Sequence, residues 1–121
     1  MEPYERFKAW QLAHQLALAV FRETANWPKR EWYGLAAQVR RASLSVPSNL
    51  AEGSAKRGPA EFRRYVDISI GSLSEAEYQL RLAHELGFLG DEKWKALDEL
   101  VTESGKCLHG LSRSLRPPER P

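Results

Sequence analysis

Three histidines, one cysteine and a scatter of carboxylates are the residues of this chain that could carry covalent or metal chemistry. A carboxylate-bridged metal site in a helical bundle places glutamate three residues ahead of histidine, so that both ligands share one helix face. The residues three ahead of His14, His84 and His109 are Gln11, Arg81 and Lys106, so that pairing is absent. Cys107 stands alone and cannot build a structural zinc site. Arg81 lies too close to His84 for the arginine–histidine pairing of small all-helical ribonucleases, and His84 is expected at the edge of a core. Ser43, Ser45 and Ser48 have no evident general base. No glycine-rich Gly-Lys-Ser or Gly-Lys-Thr loop is present to cradle a nucleotide phosphate. Glu52, Glu75 and Glu77 are imaginable as paired carboxylates, but a structural role is preferred, as buried or half-buried glutamates with bonds to arginine, to Asn49 or to amides freed around Pro47. The reading is a non-enzyme, with no catalytic residues, no metal and no cofactor.

The cations are more informative. The 121 residues carry a formal charge of only +2, but that charge is distributed unevenly. From Lys29 to Arg64 eight basic residues face three acids, whereas from Tyr65 to Gly105 three bases face nine acids. Such polarity can give a polyanion a basic face. It can also be satisfied locally, as Arg63 and Asp67 could be at i,i+4.

Helical periodicity dominates the elements that must position these charges. A first helix is predicted over Tyr4–Asn26, with Phe7, Trp10, His14, Ala17, Phe21 and Thr24 as one stripe and Leu12, Leu16 and Val20 on another face. Pro28 disfavours helical geometry just before it and ends this helix. A second helix is predicted over Glu31–Ala55, with Leu35, Val39, Ala42, Val46, Leu50 and Gly53 as its main stripe, Ala37, Leu44 and Ala51 off it, and a kink at Pro47. A third follows Pro59 and runs to about Leu86, with Ile68, Leu82 and Leu86 away from its main stripe; Gly71-Ser72-Leu73-Ser74-Glu75 reads as an interruption. Gly87-Phe88-Leu89-Gly90 is a stop signal, Asp91 a plausible N-cap, and Trp94 to Leu115 a fourth helix with one clean stripe. The architecture expected is an all-α, antiparallel up-down four-helix bundle over residues 1–116, with a disordered tail at 117–121. The apolar runs are too short for a membrane span and the N-terminus is unlike a signal peptide; with a single cysteine, this fits a cytoplasmic protein.

Three of the helices carry more apolar surface than one stripe requires. Surplus apolar surface points to a partner, and the simplest partner is another copy. The residues assigned to that oligomer interface are Leu12, Leu16, Val20, Leu44, Ile68 and Leu82.

The segments Tyr33-Gly34-Leu35, Gln38-Val39-Arg40-Arg41-Ala42 and Ser45-Val46-Pro47-Ser48-Asn49-Leu50-Ala51-Glu52-Gly53, with Phe62-Arg63-Arg64-Tyr65, Gly71-Ser72-Leu73-Ser74-Glu75 and the opening Phe7-Lys8-Ala9-Trp10-Gln11, carry a resemblance. Over nearly its whole length the chain resembles the four-helix-bundle proteins encoded in intervening sequences of bacterial 23S ribosomal RNA genes. A related branch is the accessory variability determinant of diversity-generating retroelements. The resemblance implies a homopentameric barrel of such bundles. In the retroelement branch it implies binding of nucleic acid, RNA foremost, and of a reverse transcriptase. Carried onto this chain, the nucleic-acid positions are Arg40, Arg41, Lys56, Arg57, Arg63 and Arg64, with Lys29 and Arg30 as further candidates; Pro47, Asn49, Glu52, Gly53 and Gly71 become fold determinants. The function expected is an oligomeric nucleic-acid-binding accessory with a polymerase partner. The alternative is an oligomeric protein-binding scaffold of the intervening-sequence family without a nucleic-acid role, and a nuclease is a remote third.

Overall fold

The computed structural model describes residues 1–118, and four long helices account for most of them. We label them α1 (Lys8–Thr24), α2 (Leu35–Ser54), α3 (Gly58–Glu85) and α4 (Asp91–Ser114). α1 packs on α2 and α4, and α3 on α2 and α4, which closes the bundle. Side-chain bonds from Ser45 to Ser72, Ser69 to Val46 and Tyr65 to Glu52 run in opposite chain directions, so α2 and α3 are antiparallel. Among the described residues no helix is long and apolar enough to cross a membrane. Pro117 and Pro118 have no regular structure, and the rest of the tail assigned to 117–121 lies outside the described residues.

Two helices start later than their periodicity suggested. Pro3–Arg6 winds as a short 3-10 turn, and Phe7 is extended, so α1 begins only at Lys8. Lys29–Glu31 forms a second 3-10 turn, and Trp32–Gly34 carries the chain into α2. At the far end of α3 the stop signal works as read. Gly87 takes φ +85°, Phe88 N–H donates to Ala83 O at 3.0 Å, and Gly87 N–H donates to His84 O at 3.1 Å. This glycine-closed geometry satisfies carbonyls that a helix end would otherwise orphan. Gly90 rather than Asp91 holds the N-cap position of α4, with Asp91 in its first turn, where a negative charge is favourable.

The buried face of α1 is Ala9, Leu12, Ala13, Leu16, Ala17, Val20 and Thr24. Leu16 and Val20 are wholly buried and Leu12 nearly so, which corrects their assignment to an oligomer interface: they belong to the core of this chain. The reason is steric. Ala9 and Ala13 share their side of the helix and let the other helices approach, while the aromatic stripe of Phe7, Trp10, His14 and Phe21 lies on the flank and is half-buried or exposed.

α2 runs through Pro47 without ending there. The proline withholds the amide that Ser43 O would accept. Polar side chains bind the backbone nearby: Asn49 Nδ2 donates to Ser45 O at 2.8 Å, and the buried Ser69 hydroxyl of α3 donates to Val46 O at 2.9 Å. Asn49 is thus a local brace. Glu52 is exposed and accepts from the Tyr65 hydroxyl at 3.3 Å, in place of the expected bonds to arginine or Asn49.

The two glycines assigned structural roles behave differently. A Cβ on Gly53 would stand 2.6 Å from Tyr65 Cβ and 3.0 Å from Phe62 Cδ1, so hydrogen is required where α2 meets α3. Gly71 is exposed with nothing within 4 Å of a Cβ, and its segment does not interrupt α3. Gly53→Ala should therefore destabilise the fold by about 1–3 kcal/mol through overpacking. Gly71→Ala should stabilise it by about 0.5–1 kcal/mol, by reducing the backbone freedom of the unfolded chain. Chemical denaturation of the two variants reads both signs.

Candidate interaction surfaces

The residues of α1 that the core leaves outside meet those of α2. Leu18 (40% exposed), Phe21 (42%) and Leu44 (49%) surround, with His14, Ala17 and Pro47, an apolar groove of about 260 Å³. Its geometry follows from the helices beneath it. Thr24 is buried; its Oγ1 donates to Val20 O at 2.8 Å and accepts from Arg40 Nε at 2.6 Å. That bond clamps α2 to α1 and lays the Arg40 guanidinium 5.3 Å from the Phe21 ring centroid. The His14 ring stacks on Trp10 at 4.7 Å, which steadies the same flank.

α3 carries a separate outward set, Ile68 (44% exposed), Tyr78 (64%) and Leu86 (55%), with Leu82 half-buried beside them. Of the six residues assigned to an interface, Leu44 and Ile68 are exposed, Leu82 is partly so, and the three from α1 are internal. The exposed large apolar side chains of α1 are Leu18 and Phe21 instead. The sequence signal for Phe21 lies in the aromatic stripe, whose bulk reads as core.

The six candidate cations fall into two groups. Arg40 and Lys56 are sixteen residues apart on and just beyond one helix, about 24 Å along its axis at 1.5 Å per residue. Lys56, Arg57, Arg63 and Arg64 gather around the α2–α3 turn. Lys56 Nζ lies 5.5 Å from the Tyr65 ring centroid, and Arg63 Nε is 4.0 Å from Asp67 Oδ2, the i,i+4 pair foreseen. Asp67 also accepts from Ser112 of α4 at 2.9 Å, which brings the end of α4 alongside. Arg116 thereby lines, with Arg63, Pro59, Ala60 and Leu115, a cavity of about 390 Å³. Arg116 is not one of the six, although the excess of bases in the tail is its signal. Arg41 is exposed on α2, whereas Arg40 is half-buried and committed to Thr24.

The residues weighed for catalysis do not converge. His84 faces Leu89 O through Nδ1 at 2.8 Å and Asp91 Oδ1 through Nε2 at 3.3 Å, and it stacks on Trp94 at 5.4 Å, so it staples the end of α3 to the start of α4. Glu52, Glu75 and Glu77 are all exposed rather than buried or half-buried as expected, Glu75 accepts from Gln79 at 3.1 Å, and Cys107 is half-buried with a free thiol. Among the described residues no three His, Cys, Asp or Glu side chains group to hold a metal ion.

These features define an all-α four-helix bundle whose accessible chemistry lies in apolar and cationic surfaces. Residues 5–110 match the family model described as 23S rRNA-intervening sequence protein, and the chain belongs to that family. It is also similar in fold to a protein of unknown function from the S23 ribosomal protein family of Bacteroides thetaiotaomicron, with 18% identity and a TM-score of 0.78 over 87% of this chain and 98% of that one. No curated protein matches the chain.

The two neighbouring arginines should separate cleanly. Arg40→Glu should lower stability, because it removes a charged hydrogen bond worth about 1.5–3 kcal/mol and sets a carboxylate against the Thr24 hydroxyl, which still donates to Val20 O. Arg41→Glu should leave the melting transition within experimental scatter. Thermal melts followed by circular dichroism decide this; equal melting temperatures would remove Arg40 from the clamp.

Proposed function

We propose that this chain is a non-enzymatic scaffold that assembles with further copies of itself and thereby holds protein partners. The observation that carries the proposal is the apolar α1–α2 groove of Leu18, Phe21 and Leu44, beside which α3 adds the separate exposed side chains Ile68, Tyr78 and Leu86. Contiguous exposed apolar surface on a small chain marks an interaction site. A groove on one side and apolar side chains on another helix suit a heterologous contact, in which a side chain of α3 from one copy enters the groove of the next, and such contacts close into rings when the rotation permits. A ring of five is what the family resemblance implies. The test is light scattering coupled to size exclusion. The wild type should run at a multiple of 13.8 kDa, and Phe21→Glu or Leu44→Glu should reduce it to a single chain with helical circular dichroism retained. A wild type that stays monomeric at high micromolar concentration would sink the proposal.

A second reading is favoured by Arg63 and Arg116 lining one cavity at the end of the bundle where Lys56 and Arg57 stand in the α2–α3 turn and Arg64 follows in α3. This end would meet the phosphates of a nucleic acid, as in an accessory to a reverse transcriptase. Binding there would be salt-dependent and weakly selective, because phosphate contacts position a nucleic acid without reading its sequence. The triple variant Lys56→Glu, Arg57→Glu, Arg64→Glu spares the paired Arg63. It should flatten the slope of log affinity against log salt by roughly 0.7–0.9 for each phosphate that is no longer neutralised. An unchanged slope in filter binding at several salt concentrations would remove this end from the reading.

A further inference from the structure

We propose that the turn between α1 and α2 is a stacking platform for unpaired bases of a single-stranded nucleic acid. The inference rests on its own residues and needs neither the scaffold nor the basic end described above.

Tyr33 is 96% exposed and Trp32 37% exposed, in adjacent positions of a turn anchored from beneath. The anchor is Trp27, buried to 3% and tilted against Phe88 at 5.9 Å between ring centroids. The Trp32 indole N–H is already spent, donating to Trp27 O at 3.2 Å, so what this ring offers a ligand is its face. Tyr33 offers its ring almost without obstruction. The Trp32 ring is held by its N–H bond and the Tyr33 ring is free to turn onto a ligand; an unpaired base can stack on either without sequence preference, because every base has a π-face.

The charges around the rings select the class of ligand. Lys29 Nζ lies 6.0 Å from the Trp32 centroid, and the Arg30 side chain is 74% exposed, with Glu31 3.8 Å from its Nε. With Arg40 committed to Thr24, the bases that remain between Ala25 and Ala51 are Lys29, Arg30 and Arg41, against the single acid Glu31. Gln38 and Arg41 are exposed on α2 beyond the turn. Arg41 is seven residues past Gly34, about 10 Å along the helix axis, so it can meet the backbone of a strand whose bases rest on the turn. Aromatic rings flanked by Lys29, Arg30 and Arg41, with Glu31 the one acid paired to Arg30, match the stacking-plus-phosphate logic of single-strand binding. A protein hot spot of the same residue types would instead sit inside a water-excluding surround, and the neighbours of Tyr33 in sequence are the exposed Trp32 and the half-buried Gly34.

The test uses the full chain and fluorescein-labelled oligouridine, read by anisotropy at low salt, beside an abasic strand of equal length and an RNA duplex. Wild type should bind oligouridine more tightly than either comparison strand. Tyr33→Ala should weaken oligouridine binding about five- to a hundredfold, the range for losing one stacked base. It should leave abasic binding unchanged, and Tyr33→Phe should restore the affinity. Arg41→Gln should weaken both strands and reduce the salt slope. The proposal is overturned if wild type does not bind at low salt, if the abasic strand binds as tightly as oligouridine, or if Tyr33→Ala binds like wild type. Unchanged binding together with a smaller particle in light scattering would assign Tyr33 to a contact between chains. Groove variants that are monomeric but retain stacking would separate failure of the scaffold from failure of this site.

Discussion

The close approach of α2 to α3 at Gly53 is the constraint on which the rest of the molecule depends. Tyr65 Cβ occupies the space that a side chain at position 53 would need. Farther along the same seam the Ser45 and Ser72 hydroxyls meet at 2.8 Å, and Ser69, wholly buried, reaches the backbone of α2 at Val46. A seam of small residues and hydroxyls brings two helices closer than leucine would permit. A buried hydroxyl costs free energy unless it is bonded, so each of these serines also fixes register. Pro47 is tolerated in the middle of α2 because its neighbourhood is braced, by Asn49 within the helix and by Ser69 from across the seam.

Packing α2 tightly on α3 has a consequence on its other side. α1 meets α2 through Ala17, Pro47 and the Thr24–Arg40 clamp, and Phe21, Leu18 and Leu44 are left to form a groove. The groove is therefore a product of how the bundle is fastened. The same fastening holds the α1–α2 turn, because Trp27 at the end of α1 is buried against the α3–α4 turn through Phe88.

Helix number, order and stops were legible in the sequence, because each rests on local chemistry. Gly87 needs positive φ, Pro59 suits a first turn, and Gly53 falls on the main stripe of α2. Which stripe of α1 faces inward was not legible. Phe7, Trp10, His14 and Phe21 outweigh Leu12, Leu16 and Val20 in apolar bulk, so bulk points to the wrong face. Ala9 and Ala13 settle the matter by being small, and their value emerges only once three other helices are in place. The candidate cations were legible as a set but not as a place. Arg40 and Lys56 look adjacent in a charge count, yet a helix holds them at opposite ends of the bundle, and only the return of α4 brings Arg116 beside Arg63. Arg40 also reads as a surface charge until Thr24 is found buried next to it.

Assembly and nucleic-acid contact need not compete as accounts of this chain. If the chain meets nucleic acid, a single copy offers it only a few cations at one end and two exposed rings at the other, which alone would support only weak binding at physiological salt. Copies held together by the apolar groove would present these sites at fixed spacing. A strand engaged by one copy would then meet the next at a high effective concentration, so affinity rises steeply without any new contact, provided the strand can span the sites. The modest net charge of +2 suits that arrangement, since strongly cationic subunits would repel one another on assembly. In this view the apolar groove controls affinity and the charged and aromatic residues control what is bound.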